Sequence, residues 1–185
     1  MLADISKPGV AKLMARMLTE GTRTKTPVKL EESIQMLGAD ISISASDESI
    51  TVSGNTLSRN FEKSLALFEE MLLQPRWDTA QFTINKTRII NDLKRNKANP
   101  YYLASTVFDS LIFGKDNILS KNVSGTTASV ESITMDDLKV MYKKALSPSV
   151  SEFMIVGDIE GLMAQKLTAP LKPALLYGLM PLLNQ

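Results

Sequence analysis

The side chains available for chemistry in this chain are hydroxyls, carboxylates, amides, amines and guanidinium groups, because its 185 residues include no His and no Cys. A hydrolytic zinc site needs neutral nitrogen or thiolate ligands with one coordination position left open. No typical zinc site can be built from this composition. A hydroxyl nucleophile needs a positioned base, and without imidazole that base would be a lysine or a carboxylate. No Ser-x-x-Lys or Gly-x-Ser-x-Gly arrangement stands out, and Ser6-Lys7 is a neighbour pair of a kind common by chance, so covalent catalysis is not expected. Gly157-Asp158-Ile159-Glu160-Gly161 follows a predicted strand but lacks the third glycine of a dinucleotide-binding turn.

Composition narrows the partners further. Twenty-one Lys and Arg against twenty Asp and Glu give a net charge of +1, which creates no field that would draw in nucleic acid or an anionic membrane. Lys86, Arg88, Lys94, Arg95 and Lys97 crowd one predicted helix. With the total charge balanced, they read as a solvated face opposing Glu62, Glu69 and Glu70 rather than a nucleic-acid patch. Residues 1–8 show no basic start, apolar core and small-residue cleavage site. The apolar stretch Ala174 to Leu183, interrupted by Gly178 and Pro181, falls short of the roughly 20 residues a membrane span requires. The ten methionines sit mostly at helical spacing, which predicts core filling.

The elements that must position any site follow from periodicity. Val10, Leu13, Met14, Met17 and Leu18 recur at helical spacing before Gly21 stops the run. Thr26-Pro27 opens a second helix carrying Leu30, Ile34 and Leu37 as far as Gly38. From Asp40 the period becomes two: Ile41, Ile43 and Ala45, then Ile50 and Val52, alternate with Ser and Thr around a polar Ser46 to Ser49 connection, which predicts an antiparallel strand pair. Further helices are predicted over Phe61 to Leu72, from an Asp78-x-x-Gln81 box to about Lys97, from Asn99-Pro100 to Gly114, and after Thr134-x-x-Asp137. Lys115 to Gly125 reads as a loop. Phe153, Ile155 and Val156 read as a late strand returning to the sheet. Few strands and many helices give an α+β fold, an antiparallel sheet packed with several helices. The chain divides into an α+β subdomain over residues 1–160 and a linker with apolar tail over 161–185.

Several separated segments resemble one family. Gly9 to Thr22 (GVAKLMARMLTEGT) is similar to the metal helix of the pitrilysin and insulinase zinc peptidases, M16, in their bacterial and mitochondrial-processing-peptidase-like branch. The Gly21-Thr22 helix end is kept. The positions of the family's His-x-x-Glu-His motif are occupied by Lys12, Leu13, Met14, Ala15 and Arg16. LGADISISASDESITVSGNTLSRNFEKSLALFEEMLLQPRWD, NPYYLASTVFDSLIFG, GTTASVESITMDDLKVMYKKALSP and Val156-Gly157-Asp158 follow in family order and spacing.

The resemblance implies one subdomain of a peptidase half that lacks its metal motif, and a natural chain longer than this one. It places the third ligand position of active halves at Asp92. With Lys12, Ala15, Arg16 and Asp92 at the degenerate positions, no metal is expected. Lys12 and Arg16, one helical turn apart, are instead expected to meet Asp92 as an ion pair. The implied role is a non-catalytic half that supports peptide binding and stabilises an active half, on the same or a second chain, in which the zinc resides. The chain is then inactive alone. The edge carrying Ile41, Ile43, Ile50 and Val52 is the candidate for an extended peptide. A stand-alone assembly module without proteolytic role is the alternative. Self-association of the fragment through its tail and sheet edge is also expected, and the bacterial periplasm is favoured over the cytoplasm.

Overall fold

The computed structural model describes residues 7–114, 117–146 and 151–157. Among them are seven α-helices and one two-stranded antiparallel sheet, as the α+β reading requires. The helices are α1 (Val10–Met17), α2 (Pro27–Met36), α3 (Phe61–Leu73), α4 (Thr79–Asn96), α5 (Pro100–Phe113), α6 (Thr127–Ser132) and α7 (Met135–Ala145), and the strands are β1 (Asp40–Ala45) and β2 (Ile50–Asn55). The described residues fall into two compact units, one of 7–17, 43–51, 77–114 and 117–141, the other of 18–42, 52–76, 142–146 and 151–157.

In the first unit α4 is the central element, in contact with both α1 and α6. Asp78 starts α4 by accepting hydrogen bonds from the Ala80 and Gln81 N–H groups, at 2.9 and 3.0 Å, which satisfies two of the four donors a helix start leaves open. Its inward residues Ile89 and Leu93 are buried with Val10, Leu13, Met14 and Met17 of α1, Val130 and Ile133 around α6, and Leu138 of α7. Each such side chain contributes about 1.5–3 kcal/mol relative to exposure. Thr134 and Asp137 cap α7 reciprocally: Thr134 N–H donates to Asp137 Oδ2 at 2.7 Å and Asp137 N–H to Thr134 Oγ1 at 3.3 Å. Asp137 also holds Lys7 Nζ at 2.7 Å.

The second unit contains α2 and α3. Thr26 caps α2, with Pro27 at its first position, where the missing N–H removes no intrahelical bond. Leu18, Leu30, Ile34, Leu65, Leu67, Met71 and Leu72 are its buried apolar side chains. Thr22 pairs with Pro75 as an isolated antiparallel bridge, and the Tyr142 hydroxyl donates to the Leu72 carbonyl at 2.6 Å. The strand pair is a hairpin closed by Ser46 N–H donating to the Ser49 carbonyl at 2.8 Å. The isoleucines and Val52 are half-buried, while the alternating serines and Thr51 are exposed.

One expectation needs correction, and two features were not foreseen. Residues 151–156 are not a strand. Phe153 instead meets Phe68 edge-on, ring centroids 6.5 Å apart, so its apolar alternation serves a ring contact rather than a ladder. Thr127–Ser132 is a helix that the sequence reading passed over; Thr126 and Ser129 form its capping box, and six residues are too few to display a 3.6 period. α5 forms where its Asn99-Pro100 start predicts, yet none of its residues is buried. The tail, 161–185, lies outside the described residues.

Candidate functional site

α1 is enclosed on nearly every side. Val10, Ala11, Leu13, Met14, Ala15 and Met17 are at most 2% exposed, so Lys12 and Arg16 alone in the helix reach partial solvent. Their four-residue spacing brings them out on one face. α4 lies against α1 and carries Asp92 to that face. Arg16 Nη2 stands 3.7 Å from Asp92 Oδ2, and Arg95 Nη2 donates to Asp92 Oδ1. The expected link between the first helix and Asp92 is therefore made by Arg16.

Lys12 takes a different partner, donating to Ser124 Oγ at 2.7 Å. Burial pushes its ammonium below the ordinary lysine value, the neighbouring Arg16 cation pushes it further, and Asp92 offsets part of the change. Ser124 comes from the Asn122-Val123-Ser124-Gly125 turn, more than a hundred residues away in sequence. Gly125 lets the chain pass close to the start of α1: at φ +73°, a Cβ there would stand 2.2 Å from the Pro8 carbonyl oxygen. The Ser129 hydroxyl donates to that same oxygen at 2.8 Å.

A lysine amine against a serine hydroxyl is the contact a Ser–Lys general-base pair uses. The turn supplies nothing to go with it. Ser124 N–H donates to Asn122 Oδ1 at 2.8 Å and Gly125 N–H to the Asn122 carbonyl at 2.8 Å, so both backbone donors are already committed and neither can receive an oxyanion. Beside Arg16, Ala15 offers only a buried methyl, and α1 carries no carboxylate that could act as a general base. Among the described residues no group of three or more His, Cys, Asp or Glu side chains could hold a metal ion. What the site does chemically is join two helices by charge.

A second polar cluster ends α1's run into the following turn. Thr22 is fully buried, and its hydroxyl donates to Glu70 Oε1 at 2.5 Å. Thr24 donates to the same oxygen, and Lys25 Nζ reaches Glu70 Oε2 at 2.5 Å. Burial acts to raise the Glu70 pKa, but hydrogen bonds from Lys25, Thr22 and Thr24 outweigh it and the carboxyl sits below its usual value. Gly21, at φ +101°, makes the turn. The cluster gives the Gly-Thr pair a structural role: it fastens the turn to α3.

The structure thus gathers Lys12, Arg16 and Asp92 around α1 and α4 and adds Ser124. Ile41, Ile43, Ile50 and Val52 share the half-buried face of the hairpin. Sequence reasoning missed Ser124 and Glu70 because both act through contacts far apart in the chain. It also treated Lys86 as solvated, whereas Lys86 Nζ donates to the Glu131 and Ile133 carbonyls at 2.8 and 2.7 Å. Lys86 ties α4 to the end of α6, where open carbonyls favour a cation. Arg88, Lys94, Arg95 and Lys97 are exposed.

Residues 2–115 match the sequence model of the family described as Insulinase (Peptidase family M16). The chain is 27% identical to a solved peptidase M16 inactive domain from Pseudomonas fluorescens, with a TM-score of 0.86 over 91% of this chain and 41% of that one. A Helicobacter pylori protein named non-peptidase homolog YmxG is 23% identical over 159 residues, which is 86% of this chain and 37% of that protein. The first half of the periplasmic protease PqqL from Escherichia coli superposes with a TM-score of 0.76 at 20% identity, over 91% of this chain and 37% of that structure. The chain therefore spans about two fifths of the length of these relatives, and this fold occurs within halves of larger proteins.

Proposed function

The chain belongs to the insulinase family, peptidase family M16, and we propose that it acts as a non-catalytic part of a zinc-dependent peptidase, supporting an active half that holds the metal. The observation that carries this reading is the Arg16–Asp92 pair. A cation on α1 and a carboxylate on α4 hold the two helices together at the degenerate motif positions, so the scaffold stands without a metal. The inactive M16 domain among its relatives supports the same role. In this reading the extended peptide lies along an outer edge of the β1–β2 hairpin, where no further strand is paired among the described residues and open backbone N–H and C=O groups can take a strand. Ile41, Ile43, Ile50 and Val52 would steady that edge from beneath.

A second reading, an assembly module without proteolytic role, is favoured by the likeness to a protein named as a non-peptidase homolog. Metal content and peptide cleavage, measured for this chain alone and for its complex with the half it associates with, separate the two. The peptidase reading expects no zinc and no cleavage alone, with both present in the complex. A stable complex that lacks zinc and cleavage overturns it in favour of the assembly module.

A further inference from the structure

Lys12 is a half-buried amine held by a hydroxyl rather than a carboxylate. Lys7, Lys25 and Lys139 stand against Asp137, Glu70 and Asp136, and Lys86 reaches two carbonyl groups. Lys12 instead donates to Ser124 Oγ at 2.7 Å, and one turn along the same face of α1 stands a second cation, Arg16. A lysine amine becomes a nucleophile when burial or a neighbouring cation holds it unprotonated. Lys12 has both: burial lowers its pKa most, and Arg16 lowers it further against the opposing pull of Asp92.

The same surroundings suit an anion. Lys12, Arg16 and Arg95 are three cations set around one carboxylate, Asp92, whose two oxygens already face Arg16 and Arg95. The Ser124 hydroxyl accepts from Lys12 and donates to no other group among the described residues, so its own proton is open to an acceptor. A negative group formed on the Lys12 nitrogen would meet a guanidinium one turn away and a hydroxyl donor beside it.

We propose that Lys12 is a carbamylation site: its neutral amine adds carbon dioxide, and Arg16 and the Ser124 hydroxyl hold the carbamate. The nitrogen lone pair forms a C–N bond to carbon dioxide, one C–O π pair moves onto oxygen, and a nitrogen proton leaves to water. Nothing is oxidised or reduced, and no other group departs. Lys12 passes from cation to anion, so three cations around one carboxylate become two cations and two anions. The like-charge pair on α1 becomes an opposite-charge pair at the same spacing. Carbon dioxide is small and uncharged, and it reaches a half-buried amine without a docking cavity. An exposed lysine, at about 10.4, stays protonated at neutral pH and does not react. The site answers to dissolved carbon dioxide whichever partner the chain takes.

The test is carbon NMR of the intact chain in isotope-labelled bicarbonate. Two carbamate signals are expected, one from the chain's α-amine, whose ordinary pKa is about 7.7–8.0, and one from Lys12. Lys12→Arg keeps the positive charge and is expected to lose the second signal alone, with its helical circular dichroism retained. Arg16→Gln is expected to lower the Lys12 signal about threefold or more at fixed bicarbonate, because it removes both the repulsion on the ammonium and the attraction for the carbamate. A lone α-amine signal, a second signal that persists in Lys12→Arg, or one that Arg16→Gln leaves unchanged overturns the proposal. Trapping carbamates on the unaltered chain by O-ethylation, followed by peptide mass mapping, needs no variant to fold. It is expected to label Lys12 ahead of every other lysine; labelling that favours an exposed lysine, or reaches none, overturns the proposal.

Discussion

Arg16 and Asp92 face each other across α1 and α4 at 3.7 Å, and Arg95 binds the other oxygen of the same carboxylate. The side chains of Arg16 and Asp92 are 35% and 41% exposed, so water and salt screen the attraction, and pairs of this kind contribute about 0–1 kcal/mol. A double-mutant cycle with Arg16→Gln and Asp92→Asn is expected to give a coupling below about 1 kcal/mol that shrinks as salt is raised. Asp92→Asn alone is expected to cost more than Arg16→Gln alone, because it removes the carboxylate shared by two guanidinium groups. Urea unfolding at low and high salt checks both.

Glu70 makes the second unit acid-sensitive. Its carboxyl is depressed in the folded chain, so its contribution is fully present above the unfolded value of about 4.3 and is lost as pH falls below it. Thermal unfolding from neutral to acid pH should therefore flatten in Glu70→Gln relative to the natural chain. Thr22→Val, which removes a buried hydroxyl donor from the same carboxylate, is expected to cost about 1–3 kcal/mol at neutral pH.

Asp137 acts at still lower pH. Its carboxyl is pulled down to about 2, first by the hydrogen bond from Lys7 and then by the Thr134 backbone N–H. Stability from this group is complete above about 3.9, the unfolded value, and disappears as pH falls toward the folded one. In Asp137→Asn the loss of stability across that interval should be smaller than in the natural chain, which proton-linked urea titrations would register.

Two glycines should resist replacement for the same physical reason. Gly21 has φ +101° and a Cβ there would stand 2.7 Å from the Lys25 carbonyl oxygen; Gly125 has φ +73° and the Pro8 oxygen in its way. In both cases the obstacle is backbone, which cannot swing aside. Gly21→Ala and Gly125→Ala are each expected to destabilise by more than about 1 kcal/mol, the lower end of left-handed backbone strain. Gly114, at φ +82° with nothing within 4 Å of its Cβ position, is the control that carries the backbone cost without the clash.

The sequence by itself determined six of the seven helices and the strand pair among the described residues, because their signals are local. Thr26-Pro27, Asn99-Pro100 and Thr134-x-x-Asp137 cap the helices they were predicted to start. The alternation from Ile41 to Val52 matches the half-buried and exposed sides of the hairpin. That Lys12, Ala15 and Arg16 stand where a metal motif would be is a proposal that rests on residue identity and order. Only the tertiary structure decided which partner each charge would take. Arg16 reaches Asp92 while Lys12 turns to Ser124, and Lys86 leaves solvent for the end of α6. These choices depend on which turn closes over which helix. Likewise, the composition of α5 is apolar, yet none of its residues is buried. Periodicity fixes which residues share a face; what that face meets depends on packing between segments far apart in the chain.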